Sequence, residues 1–363
     1  MPRELRFDRA QLATALAMVA LGLILIYSSS GVLALTRKGT PNYFVVRQAV
    51  WVGLGLLVLL AALKVPYTVW KRRRVVLALV AAEILLLALA FAMPAINGSH
   101  RWIRLGPLTV QPSESAKLVL ILLAAYLLDK REQEKRTWVQ LGLPLGILAG
   151  LMALLILLQP DLGTVVMLGV ILLCMLFCAG FPLRWIAVAA VVGALLVSAL
   201  MVTSSYRRAR LMTFMDPEHD PKGAGFQARQ SLIAVGSGGL PGKWFAGGSQ
   251  KLMFLPEPHT DFLYAMIGEE LGMAGTFGVL GLFLTFGALG LRTVRGAPEP
   301  FAAHVAVGLV AWIFFQGLIH IMVTLTLLPT KGLPLPLMSY GGSSMVVALA
   351  GVGMLLNVSQ YRS

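Results

Sequence analysis

The sequence predicts an all-α membrane protein, a polytopic bundle of about ten transmembrane helices with a large extracytoplasmic loop between spans seven and eight. Three observations predict it. Of 363 residues, 58% are apolar and only 13% charged, with a mean hydropathy of +0.80; a soluble domain of this length has too little interior for so much apolar surface. The apolar residues are gathered into roughly ten runs of the ~20 residues that one bilayer crossing needs. Lipid offers no partner to free backbone N–H and C=O groups, so such runs must be helices.

The runs fall near residues 10–32, 44–63, 75–95, 113–129, 138–158, 162–180, 185–203, 263–290, 302–327 and 341–359. The first follows Arg3, Arg6 and Arg9. It is longer than a signal-peptide core and lacks a small-residue cleavage site, so it reads as a retained span. Cys174 and Cys178 lie one helical turn apart inside an apolar run and read as packing residues with no disulfide role. With no internal repeat in view, residues 1–363 read as a single polytopic domain.

Charge assigns the sides. Lys64, Lys71, Arg72, Arg73 and Arg74 share one inter-span loop, and Lys130, Arg131, Lys135 and Arg136 the next alternate one, followed by Arg184, Arg292, Arg295 and Arg362. With ten spans these fall on one side together with both termini, and that side is the cytoplasm. The net charge of +14 therefore reports topology and implies no nucleic-acid partner. The loop at about 204–261 breaks the pattern, because Arg207, Arg208, Arg210, Lys222, Arg229, Lys243 and Lys251 lie on the other side. Cations there suit an anionic ligand, and the apolar, Gly-rich stretches of this loop predict that it folds back on the membrane surface.

Polar chemistry is confined to a few clusters. Gly98-Ser99-His100-Arg101-Trp102-Ile103 lies between spans three and four; Arg101 and Arg104 suit a phosphate as well as they suit a plain interfacial anchor. In Gln111-Pro112-Ser113-Glu114-Ser115-Ala116-Lys117, proline opens the fourth span where its missing N–H costs nothing. Glu114 and Lys117, three apart, share a helix face and can pair; charges inside a span cost at least ~2.5 kcal/mol, so they face a partner or a polar cavity. Asp161, in Gln159-Pro160-Asp161-Leu162-Gly163-Thr164, stands where span six begins, and helix capping is its simplest role.

Gly236-Ser237-Gly238-Gly239-Leu240-Pro241-Gly242-Lys243 is not a phosphate-binding P-loop, since Trp244 stands where Ser or Thr is needed. It offers at most loose backbone N–H groups to a phosphate. Leu255-Pro256-Glu257-Pro258-His259-Thr260-Asp261-Phe262 lies at the mouth of span eight. Two carboxylates and a histidine there suit a general base or a metal site; Asp261 alone also suits an N-cap. Pro329-Thr330-Lys331-Gly332-Leu333-Pro334 leads through prolines and a double glycine to Ser343 and Ser344, a rigid loop before span ten.

In this order the clusters resemble the SEDS family (shape, elongation, division and sporulation). The matching residues are Arg101-Trp102-Ile103, Gln111 to Glu114 with Lys117, Gln159 to Thr164, Gln230 to Leu240, His259 to Phe262, and Pro329 to Ser344, covering almost the whole chain. The resemblance implies a peptidoglycan glycosyltransferase of the bacterial cytoplasmic membrane that acts on lipid II with a class B penicillin-binding protein as transpeptidase partner. It places the family's essential aspartate at Asp261 and its sensitive Glu and Lys at Glu114 and Lys117. Arg101, Arg210, Lys243, His259, Asp161, Lys331 and Ser343 are expected in substrate-binding or supporting roles. The short tails resemble the elongation branch more than the division branch. Trp244 departs from the pattern, where many relatives have glycine.

Lipid II is an anionic pyrophosphate on a polyprenyl tail, so its polymerase needs a lipid-facing groove and outward cations. A sugar C4 hydroxyl must attack the anomeric carbon of a second, pyrophosphate-linked sugar. Asp261 is expected to take the hydroxyl proton, help worth roughly 10²–10⁴ in rate. Arg101, Arg210 or a divalent cation (Mg or Mn) is expected to stabilise the departing pyrophosphate. Two rivals compete with this reading: a lipid flippase or transporter, whose polar residues belong near the midplane, and a scaffold, which has little use for a carboxylate–histidine cluster. Glu83, Glu269, Glu270, Gln316 and His320 are the polar residues that lie deeper.

Overall fold

The computed structural model describes residues 7–95, 98–106, 108–135, 137–203, 208, 212, 214, 224–244, 259–329 and 332–362. The chain runs through α1 (Arg9–Lys38), α2 (Tyr43–Lys64), a short α3 (Tyr67–Trp70), α4 (Arg73–Phe91), β1 (Ile103–Leu105), β2 (Leu108–Val110), α5 (Pro112–Glu134), α6 (Trp138–Leu158), α7 (Leu162–Cys178) and α8 (Leu183–Thr203). It continues with α9 (Ala224–Ser237), α10 (Leu263–Arg295), α11 (Pro300–Thr324) and α12 (Gly342–Ser359). Local chemistry sets several of the ends. Asp8 accepts from Gln11 N at 3.0 Å to cap α1, Pro112 opens α5, and Thr137 with Gln140 forms a capping box before α6.

Each of the ten predicted spans coincides with a helix, and eight helices are long and apolar enough to cross a membrane. The two that fall short do so for different reasons. α5 is interrupted by Glu114, Lys117 and the charged stretch from Asp129, while α7 has 17 residues, about 26 Å of helix. Burial separates centre from rim. The apolar stretches of α11 and α12 are 72% and 78% buried within the protein, against 6% for α8, so α8 keeps nearly all its apolar surface for lipid. α2 packs most closely on α12 and α10 on α11, with α11 packed also on α5. At the end of the bundle remote from Asp261, Lys71 Nζ joins Asp129 Oδ2 (3.3 Å) and Glu299 Oε2 (2.7 Å), tying α3 and α5 to the loop before α11.

Two features were not predicted. The segment after Arg101-Trp102 forms a two-stranded antiparallel hairpin, with Ile103 opposite Val110 and Arg104 opposite Thr109. α10 is also broken at Gly272 (φ 62°, ψ −155°), about two and a half turns beyond Leu263. The Gly-rich loop after α9 fills the break. Met273 N donates to Gly239 O at 2.9 Å, Ala274 N to Leu240 O at 3.5 Å, and Lys243 N to Glu269 O at 3.0 Å. Backbone groups that the break would leave unpaired are thereby satisfied by the loop, as an apolar setting requires.

This contact replaces the phosphate-approach reading of residues 236–243, since the amides of Gly242 and Lys243 donate to the carbonyls of Gly238 and Glu269. Only glycine fits where the backbones meet. A Cβ at Gly238 would collide with Gly268 O, one at Gly242 with Glu270 O, and one at Gly272 with Gly242 N. Gly238→Val is therefore expected to destabilise the protein by about 3 kcal/mol or more, whereas Gly236→Ala, with open space around it, should be tolerated. Melting of the two purified variants in detergent checks this; equal melting temperatures would refute the close packing. Trp244 follows at φ 62°, the left-handed backbone that glycine adopts without strain.

Candidate active site

The starts of α5, α7, α10 and α12 and the end of α11 carry the predicted clusters, and hydrogen bonds link them at one end of the bundle. Asp161 is the N-cap of α7 and 5% exposed. Its Oδ1 accepts from Thr164 N (3.2 Å), and its Oδ2 from Thr164 Oγ1 (2.9 Å), Ser113 Oγ (3.0 Å) and Gln111 Nε2 (3.2 Å). The carboxylate thus caps one helix and holds the start of another, the supporting role expected for it. Ser343, in the first turn of α12, accepts from Gln111 N at 2.9 Å and donates to Thr109 O at 3.2 Å, seating the hairpin and α5 on the start of α12.

Arg101 and Lys243, both expected in substrate-binding or supporting roles, are bonded into the fold. Arg101 Nε donates to Gln159 O (2.7 Å) and its Nη2 to Pro160 O (2.5 Å). These carbonyls follow the C-terminus of α6, where the helix dipole favours a cation. Arg101 is thus more than a simple membrane anchor, since it ties the loop after α4 to the end of α6. Lys243 Nζ pairs with Glu269 Oε1 at 3.1 Å and donates to Ser237 Oγ at 2.9 Å. Glu269 is fully buried, so Lys243 is its counter-ion and locks the Gly-rich loop to α10. Arg210 and Lys331 lie outside the described residues, as does Glu257.

Glu114 and Lys117 pair as their spacing predicted. Lys117 Nζ donates to Glu114 Oε2 at 2.9 Å, with both side chains buried. The lysine also donates to Gln316 Oε1 (3.0 Å) and lies 5.0 Å from the centre of the Trp312 ring. Trp312 Nε1 donates to the same Gln316 oxygen at 2.8 Å, and Gln316 Nε2 donates to Pro334 O at 2.8 Å. One helical turn on, His320 Nδ1 lies 2.8 Å from Leu333 O, and an imidazole meeting a carbonyl there must carry its proton on Nδ1.

Asp261 stands where this network meets the mouth of α10. The capping alternative is not realised: the cap position belongs to Phe262, whose side chain makes no capping hydrogen bond, and Asp261 precedes it. Its carboxylate, half-buried, faces Gly332, where a Cβ would lie 2.9 Å from Oδ2. The preceding residues are fixed from the other side. Ser339 Oγ donates to Thr260 O at 2.7 Å and Tyr340 N to His259 O at 2.9 Å. The buried His259 ring lies between Phe44 and Tyr340, with centroids 4.5 and 5.2 Å away. His259 therefore supports the site through ring packing. Among the described residues no three His, Cys, Asp or Glu side chains form a group able to hold a metal ion.

Gln316 and His320 were visible in the sequence only as polar residues deep in an apolar span. Their four-residue spacing was the signal that one helix face serves a polar partner. Gly238 with Gly242 and Gly268 with Gly272 have the small-xxx-small spacing that lets backbones touch, but the spacing neither pairs the two segments nor marks the break in α10.

Residues 8–363 match the family model of the FtsW, RodA and SpoVE proteins, described as cell cycle protein. A probable peptidoglycan glycosyltransferase FtsW of Geobacter metallireducens is 37% identical over 358 residues, 98% of this chain and 95% of that protein. The protein of the same name from Nitrosococcus halophilus is 40% identical over 97% of this chain and 92% of its own length. Among solved structures, a chain from a peptidoglycan synthase complex, studied for its coordination of polymerization and crosslinking, aligns at a TM-score of 0.80 with 33% identity over 99% of both chains. The rod shape determining protein RodA of Thermus thermophilus aligns at 0.74 with 28% identity, again over 99% of both.

Proposed function

This chain belongs to the SEDS family, the FtsW, RodA and SpoVE proteins, and on that premise we propose that it is a peptidoglycan glycosyltransferase that polymerises lipid II at the outer face of the cytoplasmic membrane. The observation that carries the mechanism is the placement of Asp261. Its carboxylate lies at the mouth of a spanning helix, is not the helix cap, and is walled by backbone at Gly332. Such a group is positioned to work on a substrate. In the proposed step the acceptor sugar's C4 hydroxyl attacks the anomeric carbon of the donor, and Asp261 accepts the hydroxyl proton. A C–O bond forms, the anomeric C–O bond to phosphate breaks, and the polyprenyl pyrophosphate leaves with the electron pair. A divalent cation, Mg²⁺ or Mn²⁺, would stabilise the departing pyrophosphate, and a chelator added to the assay should then lower the rate.

A flippase fits less well. The deep residues Glu269, Lys117 and Gln316 are paired within the protein, Glu269 with Lys243 and Lys117 with both Glu114 and Gln316. A scaffold leaves the placement of Asp261 without a use. The decisive assay incubates the purified protein, with and without a class B penicillin-binding protein, with labelled lipid II and looks for glycan strands. No strands under either condition would overturn the assignment.

Two observations bear on the cellular role. The likeness to the rod shape determining protein RodA favours elongation and rod shape; the FtsW names of the curated relatives favour division. Depletion in the native host separates them, since loss of rod shape supports elongation and filaments support division. Topology is checked by cysteine labelling of intact spheroplasts at Thr68 and Ser237, both exposed. The charge asymmetry predicts labelling at Ser237 only, and labelling at Thr68 alone would reverse the sides.

A further inference from the structure

We infer that Gln316 and His320 are positioning residues for Asp261, forming a clamp that fixes the Gly332–Pro334 segment against its carboxylate and connects it to the buried Glu114–Lys117 pair. The inference rests on the general-base reading of Asp261 and extends it to the groups that aim the base.

The chain of contacts is continuous. Gln316 Oε1 receives two donors, Lys117 Nζ at 3.0 Å and Trp312 Nε1 at 2.8 Å. An amide oxygen so occupied fixes the flip of the group, and the Nε2 end is sent to Pro334 O at 2.8 Å. His320, on the same face of α11 one turn later, holds Leu333 O at 2.8 Å. Consecutive carbonyls are thus gripped from one helix, and the residue before them is Gly332, against Asp261. Both gripping side chains are 1% exposed, so water competes little for the bonds. Next to Gly332, Leu333 is 2% exposed and packs against Gly163 of α7, which leaves the segment little freedom except through the clamp.

This gives the ion pair a role other than binding phosphate. Lys117 Nζ is spent on Glu114, on Gln316 and on the Trp312 ring. Its charge orients the Gln316 amide, and the amide orients the wall of the base. A misplacement of about 1 Å at a reacting group costs on the order of 10² in rate, which sets the expected scale.

The test uses the full chain in complex with its penicillin-binding partner, with lipid II polymerisation as the readout. His320→Leu and Gln316→Leu should each lower kcat by about 10²-fold with KM little changed. His320→Asn keeps an N–H donor near the position of Nδ1 and should restore most of the turnover. In an Asp261→Asn background, His320→Leu should cost almost nothing more, because both act through one carboxylate. Where a leucine variant fails to fold, Gly332→Ala tests the same wall from the opposite side and should also lower kcat. Normal turnover in the folded leucine variants, an Asn variant as impaired as Leu, or full additivity with Asp261→Asn would overturn the clamp. Full activity of Asp261→Asn alone would instead overturn the general-base reading, so the two failures are distinguishable.

Discussion

Asp261→Asn is expected to cut glycan formation from lipid II by roughly 10²–10⁴-fold while leaving the protein folded, in the membrane and bound to its partner. Asparagine has the size of aspartate and keeps a hydrogen-bonding oxygen, but its amide cannot take a proton from a sugar hydroxyl. General-base assistance is worth roughly 10²–10⁴ in rate, and long incubations with labelled lipid II read the residual turnover. The usual alternative role of an aspartate at a helix start, capping, predicts the reverse, since asparagine caps about as well. Here that alternative is already weak, because the cap position is Phe262. The measurement is polymerisation by the purified complex carrying the Asn variant, with its melting temperature as the control for folding. Near-normal strand formation by a well-folded variant would end the general-base assignment.

The second large effect is expected at Glu114 and Lys117. Each is almost fully buried, and the pair is 2.9 Å apart on adjacent turns of α5. Removing one partner leaves the other as an uncompensated charge, a loss of roughly 3–5 kcal/mol for a buried pair. Glu114→Ala and Lys117→Ala should therefore each destabilise the bundle and depress polymerisation sharply. The double variant should cost clearly less than the sum, because no charge is left stranded. A double-mutant cycle on stability and on turnover measures the difference; additivity within about 0.5 kcal/mol would mean that the two residues act separately. Lys117→Ala should also release Gln316, which loses one of its two donors, so its effect on turnover should exceed that of Glu114→Ala.

Composition and one-dimensional pattern fixed the parts of this protein that depend on solvent. Apolar runs of spanning length must become helices in lipid, and each expected run is one. The i, i+3 spacing of Glu114 and Lys117 required only that residues near 114 be helical, and Asp161 before an apolar run required only a helix for it to cap. Both relationships are local, and both appear in the structure as read.

The rest depended on contacts between residues far apart in the chain. The sequence showed Arg101, Lys243 and Asp261 as similar candidates, each a charged residue next to a span. Tertiary structure separated them: Arg101 is held by the carbonyls of residues 159 and 160, Lys243 by a buried Glu269, and Asp261 is set against Gly332 beside a rigid loop. No local pattern predicts that the loop after α9 would enter a break at Gly272, or that Gln316 would carry the orientation of Lys117 to Pro334. Helices are legible in sequence because lipid forces each chain segment to satisfy its own backbone. The site is not, because its hydrogen bonds pair groups that only the packing of five helix ends brings within 3 Å of one another.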